Sequence, residues 1–252
     1  MKIKHLLCFI ALCLFFTPGK AQQLSVMTLR NGATVYIWED KSKPDVFGMI
    51  AFKVGSVDDP EQYTGLAHYL EHVMFKGTQT IDALDWEKEK PIYEKIIAKY
   101  DERAALSDPA AREAVDKEIN DLTREAAQYA AGNEFSLLVD HMGGQGLNAS
   151  TGYDQTEYHN SFPPSQLEKW LEIYSERLID PVFRGFQTEL EAVYEEYNMY
   201  NDDRGSRMRE FIYEQAFGDH PYARPIIGLP EHLKNPQLSK LIDFYNTWYG
   251  PQ

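Results

Sequence analysis

The spacing of apolar residues along the chain predicts several short strands. Two apolar runs within residues 24–38 flank Asn31 and Gly32, a dipeptide that is typical of tight β-hairpin turns. Three further segments predict strands, namely residues 47–54, 147–151 and 156–162. The last two are separated by only a few residues, so we expect them to pair.

Helices are predicted for most of the remaining chain, over residues 64–75, 167–178, 188–201 and 207–217. Thr64 is a suitable N-cap for the first of them, and Gly77 is a suitable stop. Strands and helices come in blocks and not as regular βαβ units. This order predicts an α+β fold, in which an antiparallel or mixed sheet packs against helices.

Residues 82–131 differ from the rest in being rich in Ala, Glu, Lys and Asp. Two apolar series at helical spacing lie on either side of Asp108 and Pro109, a capping residue followed by proline at a first helical position. We therefore predict an inserted helical hairpin of two antiparallel helices. A solvated spacer is the simpler interpretation of the hairpin, and an arm that binds a partner is the alternative.

The first 21 residues have the pattern of a secretory signal peptide. A short basic start precedes the apolar run 6–16, which is too short to span a bilayer, and small residues at Gly19 and Ala21 suit cleavage before Gln22. We expect export to the periplasm or the medium, with residues 22–252 forming the mature catalytic domain. An amphipathic or buried N-terminal helix is the alternative. No cysteine follows the apolar run, so no membrane anchor is expected.

Charge and cysteine content exclude several classes of function. Cys8 and Cys13 both lie in the leader, so the mature chain has no disulfide, no thiol nucleophile and no cysteine metal site. Removal of the leader lowers the count of Lys and Arg from 25 to 22, against 39 acidic residues. So acidic a chain is not expected to bind nucleic acid or an anionic membrane surface.

The chemistry is concentrated in the predicted helix 64–75. His68 and His72 are four residues apart, so on a helix both imidazoles face the same side and can reach one metal ion. Glu71 lies beside the pair and can reach a water on that ion. A surface helix can carry two histidines by chance, but the full H-x-x-E-H pattern is rare.

A catalytic zinc needs a third protein ligand and an open position for water. Glu189, Val193 and Glu196 share one face of the predicted helix 188–201. One of the two carboxylates can bind metal, and the other can orient a histidine through a hydrogen bond. Acidic residues on a helix usually form only a solvated face, so this assignment depends on the first motif.

The sequence around these residues resembles the M16 family of zinc metallopeptidases, which have the inverted motif of inverzincins. Similar features run through nearly all of the mature chain: the turn at 31–32, the helix at 65–78, the segments 147–156, 180–183 and 189–196, and the tripeptide at 220–222. The resemblance implies one zinc ion per chain, held by His68, His72 and Glu196, with Glu189 as the supporting glutamate. Glu195 is the neighbour most easily confused with the ligand.

The resemblance also implies hydrolysis of peptide bonds, with Glu71 as the base that activates a zinc-bound water. The substrate, a peptide or an unfolded segment of protein, would pair as an added strand beside the zinc. Asn148, Ala149 and Ser150 are the expected substrate-binding residues on the edge that receives it.

The chain departs from the usual family pattern in two ways. His72 and Glu196 are 124 residues apart, a long gap that the hairpin at 82–131 explains. The chain also ends where the family's first domain has strands to come, so it resembles a truncated front portion. A second M16-like half, in the same longer chain or in another subunit, is the expected partner. A non-catalytic scaffold and a zinc-binding subunit without hydrolysis are the alternatives, and the intact Glu71 favours an enzyme.

Overall fold

The computed structural model describes residues 24–250. The predicted signal peptide, residues 1–21, therefore lies outside the described residues. The chain divides into two units: the described part of the first is residues 24–44, and the second is residues 45–250. Among residues 24–250, no helix combines the length and the apolar character needed to cross a membrane.

The first unit is the β-hairpin that the turn at Asn31 and Gly32 predicted. Strands β1 (Leu24–Thr28) and β2 (Thr34–Trp38) are antiparallel. Gly32 has a φ of 95°, which favours glycine, and the Asn31 side chain accepts a hydrogen bond from the Ala33 amide at 3.2 Å. The prediction of this hairpin is confirmed.

The second unit contains a three-stranded antiparallel sheet. It consists of β3 (Val46–Phe52), β4 (Gln145–Thr151) and β5 (Thr156–Phe162), in the spatial order β3-β5-β4. Alternate residues of β5, from Thr156 to Phe162, are buried, as expected for a strand with one face on a core. Within the described residues, β4 pairs with β5 alone, so β4 is an edge strand of this sheet.

Nine α-helices lie in the second unit of the described chain: α1 (Leu66–Val73), α2 (Trp86–Ala105), α3 (Pro109–Ala126), α4 (Glu134–His141), α5 (Leu167–Ile179), α6 (Phe186–Asp202), α7 (Arg204–Phe217), α8 (Pro230–Leu233) and α9 (Leu238–Trp248). Together with the antiparallel sheets, they confirm the predicted α+β class. All four segments predicted to be helical contain a helix.

Helix α1 begins one residue later than the Thr64 N-cap predicted. Gly65 is the N-cap with a φ of 88°, and the buried Asp59 carboxylate accepts hydrogen bonds from the amides of Gly65 and Ala67 at 2.7 and 2.9 Å. Thr64 instead bonds through its hydroxyl to His232 and to the Leu229 amide. An aspartate outside the helix thus satisfies its first amides, which helix periodicity alone does not reveal.

Helices α2 and α3 form the predicted antiparallel hairpin, and Asp108 caps α3 ahead of Pro109 as expected. The hairpin is not a solvated spacer. Its inner face belongs to the main core through five buried side chains, Ile92, Ile96, Tyr100, Val115 and Ile119. Arg184 donates two hydrogen bonds, from Nε and Nη2, to the buried carboxylate of Glu89 at 2.6 and 2.8 Å.

A buried arginine holds the end of helix α1. Arg177 is 1% exposed, and its Nε donates to the carbonyl oxygen of Met74 at 2.9 Å. Its guanidinium lies 4.3 to 4.6 Å from the ring centroids of Phe75, Phe135 and Tyr158. Cation–π contacts of this kind compensate in part for the missing hydrogen bonds of the other two nitrogens.

Candidate metal centre

Helix α1 brings the two histidines of the motif together. The ring centroids of His68 and His72 lie 4.8 Å apart on one side of the helix, and His68 is only 9% exposed. The apolar residues of α1, such as Leu70 and Val73, are buried, so the helix is fixed in the core. The sequence spacing therefore predicted the relation of the two imidazoles correctly.

Helix α6 supplies the carboxylates on the opposite side. Glu196 Oε2 lies 3.7 Å from His68 Nε2 and 3.4 Å from His72 Nε2. Glu189 Oε2 lies 3.4 Å from the other ring nitrogen of His72, Nδ1. The Tyr69 hydroxyl, which donates to the Phe186 carbonyl at the start of α6, ties the two helices together.

The three ligand atoms fit a small divalent cation. They belong to His68, His72 and Glu196 and all lie within 4.8 Å of one another. No other group of three His, Cys, Asp or Glu side chains within residues 24–250 meets this condition. Tetrahedral zinc with bonds of about 2.0–2.1 Å has ligand atoms about 3.3 Å apart, close to both distances from Glu196. Two imidazoles and one carboxylate are a donor set that zinc prefers.

The two carboxylates of α6 face different nitrogen atoms of the histidines. Glu196 faces Nε2 of both histidines, whereas Glu189 faces only Nδ1 of His72, where a second carboxylate fixes the orientation of the ring. Lys76 Nζ lies 2.5 Å from the remaining oxygen of Glu189. Glu195 is absent from the group and lines a cavity of about 450 Å³ against α3 and the segment 233–236.

The two histidines have opposite electrostatic surroundings. Burial, with a contribution from the neighbouring His72, lowers the pKa of His68 to about 4, so this imidazole is neutral and ready to act as a ligand. Burial acts in the same direction on His72, but its hydrogen bonds to Glu189 and Glu196 outweigh burial and raise its pKa to about 9. A cation bound here would replace the proton that His72 shares with these carboxylates.

Glu71 lies beside these three candidate ligands, in a partly enclosed position. Burial raises the pKa of its carboxyl above the usual range, against the effect of a hydrogen bond from Thr151. The Thr151 Oγ1 hydroxyl donates to Glu71 Oε2 at 2.6 Å. Sequence reasoning placed Thr151 on a strand but missed this contact, because the two residues are 80 positions apart. The only signal was the alternation of side chains along β4, which puts Thr151 on the same face of the strand as the buried Ala149.

The three expected substrate-binding residues lie in the middle of the edge strand β4. The side chains of Asn148 and Ser150 are exposed, while that of Ala149 is buried. The Ser150 hydroxyl donates to Glu157 on β5 at 3.1 Å. Their role toward a substrate stays a prediction.

An α+β chain whose helical H-x-x-E-H motif meets a glutamate from a distant helix has the architecture of an inverted-motif metal centre. The profile described as Insulinase (Peptidase family M16) matches residues 34–90 and 119–229, most of the chain. The chain belongs to this family.

Curated relatives are distant in sequence but extensive over this chain. The zinc protease PqqE of Helicobacter pylori is 25% identical over 230 residues, which are 90% of this chain and 40% of that protein. An uncharacterised zinc protease of Mycobacterium leprae, ML0855, is 25% identical over 201 residues, or 79% of this chain and 34% of its own length. The chain therefore spans less than half the length of these two relatives.

A solved structure supports the fold. A protease from Helicobacter pylori superposes with a TM-score of 0.68 at 22% sequence identity, over 91% of this chain and 44% of that one. At that identity the similarity concerns the fold alone. It agrees with a small antiparallel sheet packed against helices.

Proposed function

We propose that this chain is the zinc-binding part of a metalloendopeptidase, which hydrolyses bonds within peptides or unfolded protein segments. The observation that carries the proposal is the position of Glu71, a carboxylate that lies next to three side chains that fit one zinc ion and is not one of the three. A protein that only stores metal or supports a subunit has no need of a base at this place.

The residues have distinct roles in the proposed reaction. His68, His72 and Glu196 hold the zinc, which when bound supplies a Lewis acid that polarises the scissile carbonyl and activates water. Glu71 accepts the proton of the attacking water and later delivers it to the leaving amine. Burial raises the pKa of Glu71, which makes it a stronger base than an exposed carboxylate.

Substrate is proposed to bind along strand β4. Its outer edge has no partner within the described residues, so its backbone amides and carbonyls can pair with an extended peptide. Asn148 and Ser150 expose their side chains beside that edge, and Ala149 offers its backbone. Because Thr151 at the end of the same strand contacts Glu71, a peptide bound there lies next to the base.

The remaining parts of the active enzyme are proposed to come from outside this chain. The two relatives are more than twice as long as the segment they share with it, which supports a second M16-like half, in the same polypeptide or in another subunit. We also propose export to the periplasm or beyond, on the strength of the leader sequence. A structural neighbour of this chain, with a TM-score of 0.65, is the first half of the periplasmic protease PqqL from Escherichia coli.

A quenched-fluorescence peptide assay tests the proposal. The full product of the gene, loaded with zinc, should cleave an internal peptide bond, and residues 22–252 alone should bind zinc but cleave poorly. Alignment of the reacting groups can lower the activation barrier by up to about 7–11 kcal/mol. A half site that is open to water lacks much of this advantage. Chelation of zinc should abolish cleavage. Zinc binding without any cleavage by the full product would favour a zinc-binding subunit instead.

A further inference from the structure

Thr151 occupies a special position on strand β4. It is the last residue of the strand, and its backbone pairs with Thr156 on β5. Exposure along β4 alternates, with Asn148 and Ser150 exposed and Ala149 and Thr151 turned inward. Because alternate side chains of a strand share a face, Thr151 lies on the same face as the buried Ala149.

The contact that Thr151 makes is specific to the base. Its Oγ1 hydroxyl donates to Glu71 Oε2 at 2.6 Å, a short bond typical of a charged acceptor. Within residues 24–250, no other hydrogen bond to the Glu71 carboxylate is found. Glutamate has three rotatable side-chain bonds, so without this donor the carboxylate would be free to turn.

We propose that Thr151 is a positioning residue for Glu71, and that it links the base to the strand that receives the substrate. The inference rests on the proposed function. With Oε2 held by Thr151, Oε1 is the oxygen left to accept the proton of water. The same threonine fixes the end of β4, so the backbone that aligns a bound peptide and the carboxylate that acts on it move together.

A threonine suits this role better than a serine. Two heavy atoms on its Cβ restrict the first side-chain torsion, so the hydroxyl has fewer directions available. Thr151→Ser should therefore keep the donor with a looser geometry, whereas Thr151→Val keeps the shape and loses the donor. The chain offers a matched control in Thr80, whose Oγ1 donates to Glu176 Oε1 at 2.5 Å outside the metal centre.

The contact can be measured without any hydrolysis. In protein labelled with ¹³C at the glutamate carboxyl carbons, the Glu71 resonance is identified by its loss from Glu71→Gln. At one fixed pH, Thr151→Val should shift that resonance, and Thr80→Val should leave it in place while shifting that of Glu176. Thr151→Ser should resemble the wild type. A Glu71 resonance that ignores Thr151→Val would overturn the proposal.

Kinetics of the full gene product, loaded with zinc, provide the second measurement. The free energy of a hydrogen bond to a charged group corresponds to a change in rate of about tenfold or more. Thr151→Val should therefore lower kcat at least about tenfold, with little change in KM or zinc content. Thr151→Ser should recover most of kcat. A raised KM with an unchanged kcat would show a substrate contact instead and would overturn the positioning role.

The two measurements separate this inference from the proposed function. A shifted Glu71 resonance with an inactive wild type would contradict the peptidase proposal, and with it the catalytic part of Thr151's role. An active wild type whose kcat is unaffected by Thr151→Val would contradict the role of Thr151 alone.

Discussion

Replacement of Glu196 by glutamine, compared with the same replacement of Glu195, separates the two adjacent glutamates of α6. Glutamine keeps the size of the side chain and removes the charge that a zinc ligand supplies. Glu196 Oε2 is within 3.7 Å of Nε2 on both histidines. Glu195 faces a different cavity, beside Asn120 and Leu233, so its charge does not reach the same ion directly.

The expected magnitude follows from the position of each carboxylate. Loss of a residue that only supports a ligand typically costs 10- to 100-fold in metal affinity, the range we expect for Glu189→Gln. Loss of a ligand should cost more, so Glu196→Gln is expected to weaken zinc binding by more than about 100-fold, or about 3 kcal/mol. Glu195→Gln should change the affinity by less than about threefold.

Competition against a chromophoric zinc chelator measures these affinities on residues 22–252, without any need for peptidase activity. Circular dichroism of each variant controls for folding. If Glu195→Gln releases the metal while Glu196→Gln retains it, the assignment of the third ligand is wrong. Equal losses from both would show that the measured effect is general electrostatic attraction and not ligation.

Three further predictions follow. Glu71→Gln should retain zinc but lower hydrolysis by the full gene product at least about 100-fold, because glutamine cannot accept the proton; hydrolysis near the wild-type rate would exclude Glu71 as the base. Tyr100→Ala should lower the free energy of unfolding in urea by about 3–5 kcal/mol, because Tyr100 is 2% exposed and its ring centroid lies 4.8 Å from that of Phe186. A loss below about 1 kcal/mol would instead favour a solvated hairpin. Burial raises the pKa of Asp59 to about 7, so the folded state keeps a proton that the unfolded chain loses near pH 4. The free energy of unfolding should therefore fall as pH rises from about 4 to 7, and this slope should be smaller in Asp59→Asn.

The local parts of the site could be predicted from the sequence because their geometry is set by helix periodicity. His68 and His72 share a helix face at a spacing of four, whatever surrounds the helix. The same reasoning put Glu189 and Glu196 on one face of α6. Periodicity did not distinguish ligand from support. The resemblance to a family supplied that choice, which stays a prediction; Glu196 lies near both histidines and Glu189 near His72 alone.

The contacts that sequence reasoning missed join residues that do not belong to one helix or strand. Asp59 caps α1 from outside the helix, and Thr151 reaches Glu71 across 80 positions. The polar overall composition of the hairpin favours a spacer. Its buried residues, such as Ile96 and Ile119, occupy one face of each helix, and only packing against the body reveals that this face belongs to the core.

Anomalous diffraction at the zinc edge, from crystals of residues 22–252 grown with zinc, tests the central claim most directly. The account predicts one strong peak per chain, bonded to Nε2 of His68, Nε2 of His72 and a carboxylate oxygen of Glu196, with Glu71 beside it and not bonded to the metal. A peak bonded to Glu189 or Glu195 in place of Glu196, or no peak between the two histidines, would contradict it.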